Sequence, residues 1–503
     1  MSTSSLSPCP LRPEILAQLN AEERAWLESI PAKMAALERR AEAAEQRAEA
    51  AEQRAEVAEQ RLTALEALVK ELTARLNQDS TNSHKPPSSD NKTRKPRRNR
   101  RKPGGKAGAK KGHKGHNRDL VPPEKLTSQT PLFPTVCGGC GAALSPEQKH
   151  GNPRPHQFFE LPPIDMEVHQ LDLYRCKCGC GAITQAAPPP EHSTGQGPRL
   201  TALITALIGA FRLSRRQVEE LLHSVTGNSP SLGGIQACWQ RGARAAKPVA
   251  KELEKALPKQ PMLNIDETSW KQAGKKRWMW VAATQKLAVF AVNTRGMKQL
   301  REWKLLKYRG VVGCDRWNAY SRIARKQLCW SHLDRDLEAI AVRDGIGRDP
   351  AKTMQTGVDE MFSQWWAFKD GKQSRTALQS ATAGFRASFK AFCTDGAEQS
   401  DDDRWRKLGT DLLKKWPHVF RFLDEEGIEP TNNHAERMIR PAVLWRRTSQ
   451  GTRTDLGSQE AAAVLTVVQT CRLQARSALA VLEDIIRAAW TGAPMPSLLP
   501  QNA

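Results

Sequence analysis

Asp266 in MLNIDET, Asp315 in VVGCDRWNAY and Glu436 in TNNHAERMIRP are the side chains best suited to chemistry in this 503-residue chain. Two of them end apolar, strand-like runs, and the third lies in a polar helical stretch far downstream. Carboxylates gathered from separate elements suit hard divalent cations, which keep several waters and need only a few protein oxygens. A pair of such cations roughly 3.5–4 Å apart activates an attacking oxygen and stabilises a leaving one. If the three acids converge, the expected chemistry is phosphoryl transfer on a nucleic-acid backbone, with two Mg2+ (or Mn2+) ions held by Asp266, Asp315 and Glu436.

The elements that must position these acids follow from the surrounding pattern. MLNID, RWMWVAAT and LAVFAVN are predicted as short strands, Gly296 to Leu306 as a helix, and VVGCD as a fourth strand. This β-β-β-α-β order, with one acid in or at the end of the first strand and another ending the fourth, is the organisation of a ribonuclease H-like fold. Such a fold sets both carboxylates side by side on neighbouring central strands. Trp317 and Tyr320 fall on a helix predicted after Asp315. KQLCWSHLDRDL reads as a fifth strand running into a helix, which brings His332 and Arg335 near the strand end. The alternative for that pair is a core-edge histidine and a surface arginine. A glutamate on a helix commonly faces solvent, but Pro430 and Thr431 or Asn432 supply a helix start, so Glu436, Arg437 and Arg440 occupy the first two turns. Glu436 and Arg440 then share a face, which sets a metal-binding carboxylate beside a phosphate-binding guanidinium.

The rest of the chain points to a polyanionic partner. Its formal charge is +23, and Thr81 to Arg118 holds fourteen Lys or Arg against one acid, Asp90. A segment of that composition cannot fold alone, and neutralising DNA phosphates is its natural use. Lys95, Arg97, Arg98, Arg100, Arg101, Lys102, Lys110 and Lys111 are the expected DNA contacts, without base specificity. Ahead of this arm, Met34, Leu37, Ala41, Ala44, Ala48, Ala51, Ala55, Ala58, Leu62, Leu65, Val69, Leu72 and Leu76 recur at alternating steps of three and four. They form a heptad seam flanked by Arg40, Arg47, Arg54 and Arg61 on one side and Glu45, Glu52, Glu59 and Glu66 on the other, as in a parallel homodimeric coiled coil. The alternative is a single solvated helix, since alanine buries little surface.

Five of the eleven cysteines fall in two short stretches, VCGGCG and YRCKCGCG. The others are scattered singly, which argues against a secreted disulfide framework. Two knuckles separated by a strand-forming stretch, His156 to Tyr174, fit a structural Zn2+ ribbon. Cys137 and Cys140 are the first pair. In the second knuckle three cysteines compete for two places, with Cys176 and Cys180 the simplest choice and Cys178 the substitute. RLSRRQVEELLHSVTGNSPSLGGIQACWQR has the rhythm of a helix-turn-helix, and equally of a helical hairpin that only packs. The most apolar run, Leu200 to Phe211, is too short to span a bilayer. No membrane association is expected, and a soluble intracellular protein is.

KPPSSD at Lys85 to Asp90, the GG…GHKGH run from Gly104 to His116, CGGCG, IDETSW, WMWVA, Asp315-x-x-x-Ala-Tyr320, CWSHLDR at Cys329 to Arg335 and NNHAERMIRP at Asn432 to Pro441 together resemble the insertion-sequence-66 transposase family. They occur in the family order along nearly the whole chain. The resemblance implies a DDE transposase that hydrolyses a phosphodiester at each element end and directs the freed 3′-hydroxyl at target DNA, with no covalent enzyme intermediate. It implies Asp266, Asp315 and Glu436 as the catalytic acids, His332 and Arg335 as their neighbours, and accessory proteins of the same element as partners. A cytoplasmic, nucleoid-associated bacterial protein follows, with double-stranded DNA, both element ends and target, as substrate and a homodimer or higher oligomer as the assembly. The crowded second knuckle and the alanine-rich coil depart from the family pattern.

The expected fold is α/β and multidomain: an N-terminal segment (1–33), a coiled coil (34–78), a basic disordered arm (79–120) and a zinc ribbon (121–190). A helical segment with the helix-turn-helix alternative (191–257) and a ribonuclease H-like core (258–348) come next. A helical insertion rich in Trp and Phe (349–426) precedes the completion of the core and the C-terminal helices (427–503). A nuclease of the same fold without strand transfer, and a domesticated DNA-binding protein with an inactive core, are the rival functions.

Overall fold

A 56-residue helix dominates the first of two compact units, Met1–Thr93. The computed structural model describes residues 13–76, 119–399 and 401–500. In this first unit, α1 (Pro13–Leu16) precedes α2 (Ala21–Leu76). Asn20 and Glu23 start α2 reciprocally: the Asn20 side chain accepts from the Glu23 amide at 2.9 Å and the Glu23 carboxylate accepts from the Asn20 amide at 3.0 Å. The helix therefore begins well before Met34. In the single chain Met34, Leu37, Leu62, Leu65, Val69 and Leu72 of the seam all stand exposed.

The second unit spans Arg94–Ala503. Its first strands are β1 (Arg175–Lys177) and β2 (Ile183–Gln185), an antiparallel hairpin. The stretch from His156 to Tyr174, expected to form strands, runs without strand pairing. Pro162 and Pro163 remove two amide donors there, and Phe158, Leu161 and Val168 are exposed, so nothing drives a ladder to form.

Three helices follow: α3 (Pro198–Gly209), α4 (Arg215–Thr226) and α5 (Leu232–Ala256). Ser214 and Gln217 form a capping box at the start of α4, and Gly227 ends it in the left-handed region at φ 70°. The inner face of α5, with Ile235, Trp239, Ala243, Ala246, Val249 and Leu253, is buried in the main core.

That core surrounds a mixed five-stranded sheet in the order β5-β4-β3-β6-β7. Its strands are β3 (Met262–Gln272), β4 (Lys275–Ala283), β5 (Ala288–Asn293), β6 (Val311–Cys314) and β7 (Lys326–Leu328), with α6 (Met297–Glu302) between β5 and β6. The first three strands pair antiparallel, whereas β6 and β7 run parallel to β3. β3 does not stop at Asp266. Thr268 and Trp270 favour the strand and pair with Met279 and Arg277, so the ladder continues to Gln272. The edge of β5 is closed by α13 (Asp455–Leu473), whose Thr466 and Thr470 hydroxyls accept from the Phe290 and Ala288 amides at 2.9 and 3.1 Å. Side-chain hydroxyls thus blunt an edge that would otherwise invite another strand.

After β7 come α7 (Trp330–Ala341), then α8 (Arg348–Lys369), α9 (Arg375–Glu398), α10 (Asp403–Lys414) and α11 (Arg421–Asp424). These helices build a second apolar cluster centred on Trp330, whose ring lies 5.1–6.0 Å from those of Phe385, Phe389 and Phe420. The chain returns to the sheet through α12 (Asn433–Ser449), α13 (Asp455–Leu473) and α14 (Ala478–Thr491). No described helix is long and apolar enough to cross a membrane.

Candidate active site

Asp266 lies in the middle of β3, opposite Val281 of β4. On its other side β3 pairs in parallel with β6, Met262 with Val311 and Asn264 with Gly313. Continuing that register sets Asp315, the residue after β6, opposite Asp266, one strand spacing of about 4.8 Å away. The pairing needs a glycine at 313, because a Cβ there would come within 2.5 Å of the Asn264 amide nitrogen. Asp315 is fixed in turn by its neighbours. Its carboxylate accepts from the Trp317 amide at 2.8 Å, and Arg316 is held by Asp336 of α7 at 2.5 Å and Asp411 of α10 at 2.7 Å. Trp317 and Tyr320, expected on a helix, sit instead at a single 3-10 turn, Asn318–Tyr320. The Tyr320 phenol is drawn under the sheet, where it donates to Glu267 at 2.6 Å.

Glu436 reaches the same place from the first turn of α12. Asn432, just before that helix and buried, acts as a clamp. Its side-chain amide donates to the Ile265 carbonyl at 2.8 Å and its oxygen accepts from Asn264 at 3.1 Å, while its backbone amide donates to the Cys329 sulfur at 3.1 Å. One residue before Asp266 is thereby tied to the helix that carries Glu436. The first turn of α7 joins them: the Trp330 amide donates to the Pro430 carbonyl at 3.0 Å, and Ser331 donates to Asn433 at 3.2 Å. His332 Nδ1 lies 3.8 Å from Glu436 Oε1.

The electrostatics show the acids acting on one another. Burial pushes the Asp266 carboxyl well above the usual range, and the charges of Glu267, Asp315 and Glu436 push it further. Burial also raises Glu436, aided by Asp315 and opposed by Arg335 and Arg437. Glu267, absent from the sequence expectation although it stands in the IDET motif, is 2% exposed. It is raised to about 7 by burial and by Asp315, against the pull of Tyr320 and Arg295. Arg295 bonds Glu267 at 3.1 Å and lies between the rings of Trp278 and Trp317, at 4.3 and 3.9 Å. Burial of the Cys329 thiol pushes it up to about 11.

A raised acid favours the fold when protonated. The stability that Glu267 contributes is present below its unfolded value of about 4.3 and is lost as pH rises through about 7. The cation-free protein is therefore expected to lose stability between about pH 4 and 7. Glu267→Gln is expected to reduce that loss by up to about 3 kcal/mol. Urea midpoints measured against pH in chelator check this, and identical slopes for the two proteins would remove Glu267 as a proton-binding group.

The structure thus brings together Asp266, Asp315, Glu436, His332, Arg335 and Arg437. Arg440 is exposed one turn further along α12 and is not among the charges acting on Glu436. Sequence reasoning assigned no site role to Glu267, Asn264, Asn432, Arg295, Arg316 and Cys329; of these only Arg295 stood outside the quoted motifs.

The two cysteine knuckles are closed by corresponding bonds around turns that differ in length by one residue. Cys137 donates its amide to Ala142 and Cys178 donates its amide to Ala182, both at 2.8 Å, with Gly141 and Gly181 in the left-handed region at φ 76° and 87°. Backbone hydrogen bonds from the partner cysteine, Cys140 or Cys180, lower the Cys137 and Cys178 thiols. Cys178 therefore occupies the place matching Cys137, while Cys176 sits in β1 opposite Thr184. The expected arm contacts Lys95, Arg97, Arg98, Arg100, Arg101, Lys102, Lys110 and Lys111 lie outside the described residues.

Comparison with known proteins adds three findings. The sequence model of the transposase IS66 family matches residues 196–460, and that of a family of unknown function matches residues 20–119. The uncharacterized protein y4qI of Sinorhizobium fredii is 22% identical over 222 residues, 39% of this chain. The uncharacterized protein y4hP of the same organism is 37% identical over 75 residues, 15% of this chain. The chain spans 40% and 14% of the length of these two relatives.

Proposed function

Because the chain belongs to the transposase IS66 family, we propose that it is a DDE transposase that cuts a phosphodiester bond at each end of a mobile element and joins the freed 3′-hydroxyl to target DNA. The observation that carries this reading is the convergence of Asp266, Asp315 and Glu436, from two neighbouring parallel strands and one helix, on one strongly self-repelling site. The order of the five strands, with antiparallel β5, β4 and β3 beside parallel β6 and β7, supports a ribonuclease H-like core.

The donor set fits Mg2+ or Mn2+. It is carboxylate oxygen throughout, and the burial that raises Asp266 and Glu436, with the charge of the neighbouring acids added to it, is a cost that a divalent cation relieves. Two such ions, when bound, activate the attacking oxygen and stabilise the leaving one. Asp266, within β3, and Asp315, directly after β6, would hold one side of the site. Glu436 closes the other side, and Arg335 and Arg437 lie where a DNA phosphate approaching Glu436 meets positive charge. His332 borders Glu436 and Arg295 anchors Glu267.

The remaining parts would bring DNA to this site. The basic arm supplies non-specific phosphate contacts. Zn2+ held by Cys137, Cys140, Cys180 and one of Cys176 and Cys178 would stabilise the segment around the knuckles, and the corresponding bonds favour Cys178. The exposed seam of α2 suits self-association into a parallel pair, which would present two active sites to two element ends. Proteins encoded by the same element are candidate accessory partners, and a cytoplasmic, nucleoid-associated location follows from the DNA substrate.

The test is a strand-transfer assay with the purified chain, duplexes ending in the sequences that flank its gene, a supercoiled target and Mg2+. Nicked 3′ ends that become joined to target are expected. Hydrolysis without joining would overturn the transposase reading in favour of a nuclease.

A further inference from the structure

Where the first turns of α7 and α12 meet, a thiol, an imidazole and a carboxylate converge. Ligand atoms of Cys329, His332 and Glu436 all lie within 4.8 Å of one another, and this is the one such group of three or more among the described residues. Two of the three are held in place by contacts already described: Cys329 caps α7 and accepts from the Asn432 amide at 3.1 Å, while Glu436 sits one turn beyond the Asn432 clamp. Glu436 Oε1, the oxygen that faces His332, is buried and accepts no hydrogen bond among the described residues.

We propose that Cys329, His332 and Glu436 form a site for a borderline-soft divalent cation, Zn2+ in particular, which competes with the catalytic cations for Glu436. The competition rests on the assignment of Glu436 as a catalytic carboxylate; the binding itself does not.

The donor chemistry separates this site from that of the carboxylates alone. Mg2+ takes oxygen ligands in a near-octahedral shell at about 2.0–2.1 Å and does not accept a thiolate in place of oxygen. Zn2+ takes sulfur at about 2.3 Å, nitrogen at about 2.0–2.1 Å and oxygen at about 2.0–2.2 Å in a tetrahedron. Ligand atoms in such a tetrahedron stand about 3.5 Å apart. The three donors therefore need to draw in by about 1 Å, within reach of side-chain rotation at His332 and Glu436. Binding would convert the Cys329 thiol to thiolate and release its proton to solvent, leaving the fourth position of the tetrahedron for water or a DNA phosphate oxygen. Rotating Glu436 toward His332 takes its carboxylate from Asp266 and Asp315, so occupancy and catalysis exclude each other.

The test is a zinc count on the full chain. Wild type, Cys329→Ser, His332→Ala and, as a control in the second core, Cys393→Ser would be dialysed to equilibrium against micromolar Zn2+ and assayed for metal per chain. The knuckles contribute equally in all four, so the differences read this site. The proposal expects Cys329→Ser and His332→Ala each to lose one equivalent and Cys393→Ser to lose none. Circular-dichroism melts identify any variant that fails to fold, and His332→Ala, at a half-buried position, keeps the count decisive if Cys329→Ser does not. Equal zinc in wild type and the folded variants overturns the site. In Mg2+-supported cleavage, each protein normalised to its own zinc-free rate, His332→Ala is expected to need at least tenfold more Zn2+ for half-inhibition. Loss of zinc from the variants with a wild-type enzyme insensitive to it overturns the competition, and absence of any cleavage counts against the transposase reading while the zinc count still decides the site.

Discussion

Asp266→Asn and Asp315→Asn are each expected to lower DNA cleavage and joining by about 10^3-fold or more, with the fold and DNA binding retained. Asparagine keeps the shape of the side chain and its ability to accept from the Glu267 or Trp317 amide. What it removes is a negative charge that neighbouring acids already oppose, Glu267, Asp315 and Glu436 at Asp266, and Asp266, Glu267 and Glu436 at Asp315. Each substitution should therefore leave the cation-free protein as stable as wild type, or more stable, at pH 8. That sign separates loss of chemistry from loss of structure. Single-turnover cleavage of an end duplex beside urea midpoints on the same samples makes the measurement, and wild-type rates in both variants would end the enzyme hypothesis.

Asn432→Ala is expected to cost about 2–3 kcal/mol of stability and about 10^2-fold in cleavage. The truncation strands two buried groups, the Asn264 amide and the Ile265 carbonyl, each of which bonds Asn432 in the intact protein. It also frees the first turn of α12, so Glu436 is no longer set against the strand that carries Asp266. A displacement of about 1 Å at a reacting group is enough for the loss of rate. Asn432→Asp distinguishes the two effects. It keeps the acceptor for Asn264, cannot donate to Ile265, and adds a fifth carboxylate behind the site, so it should raise the neighbouring acids further. Cleavage within a few-fold of wild type in a destabilised Asn432→Ala protein would leave Asn432 a purely structural residue.

Asp266 and Asp315 were legible because apolar, β-branched runs lead into them, and pattern alone marks such runs as strands. Their pairing was not legible: a parallel register between segments separated by two strands and a helix leaves no local trace. The length of β3 was misjudged for a related reason. An acid inside a strand breaks the apolar run, yet the ladder to RWMW of β4 carries the backbone past it. Glu436 was readable as part of a helix start, with His332 and Arg335 expected nearby, but the roles of Asn432 and Cys329 were not, since their contacts form only in three dimensions. The four-residue spacing from Glu436 added Arg440 to Arg437 and Arg335, and of these the charges that act on Glu436 are those of Arg335 and Arg437. His156 to Tyr174 showed strand composition without a second strand to pair with, which composition cannot reveal.

The Asn432 clamp also orders events in time. Asn264 and Asn432 are 168 residues apart, which at about 5–20 residues per second is roughly 10–30 s of ribosomal synthesis. Within that interval a nascent chain gains its first two acids but has no third, and the helices of the second core are made before the last one. If the three acids act together as proposed, a fragment that stops short of Glu436 is inert, and the competence to break DNA comes late, when most of the chain has been made.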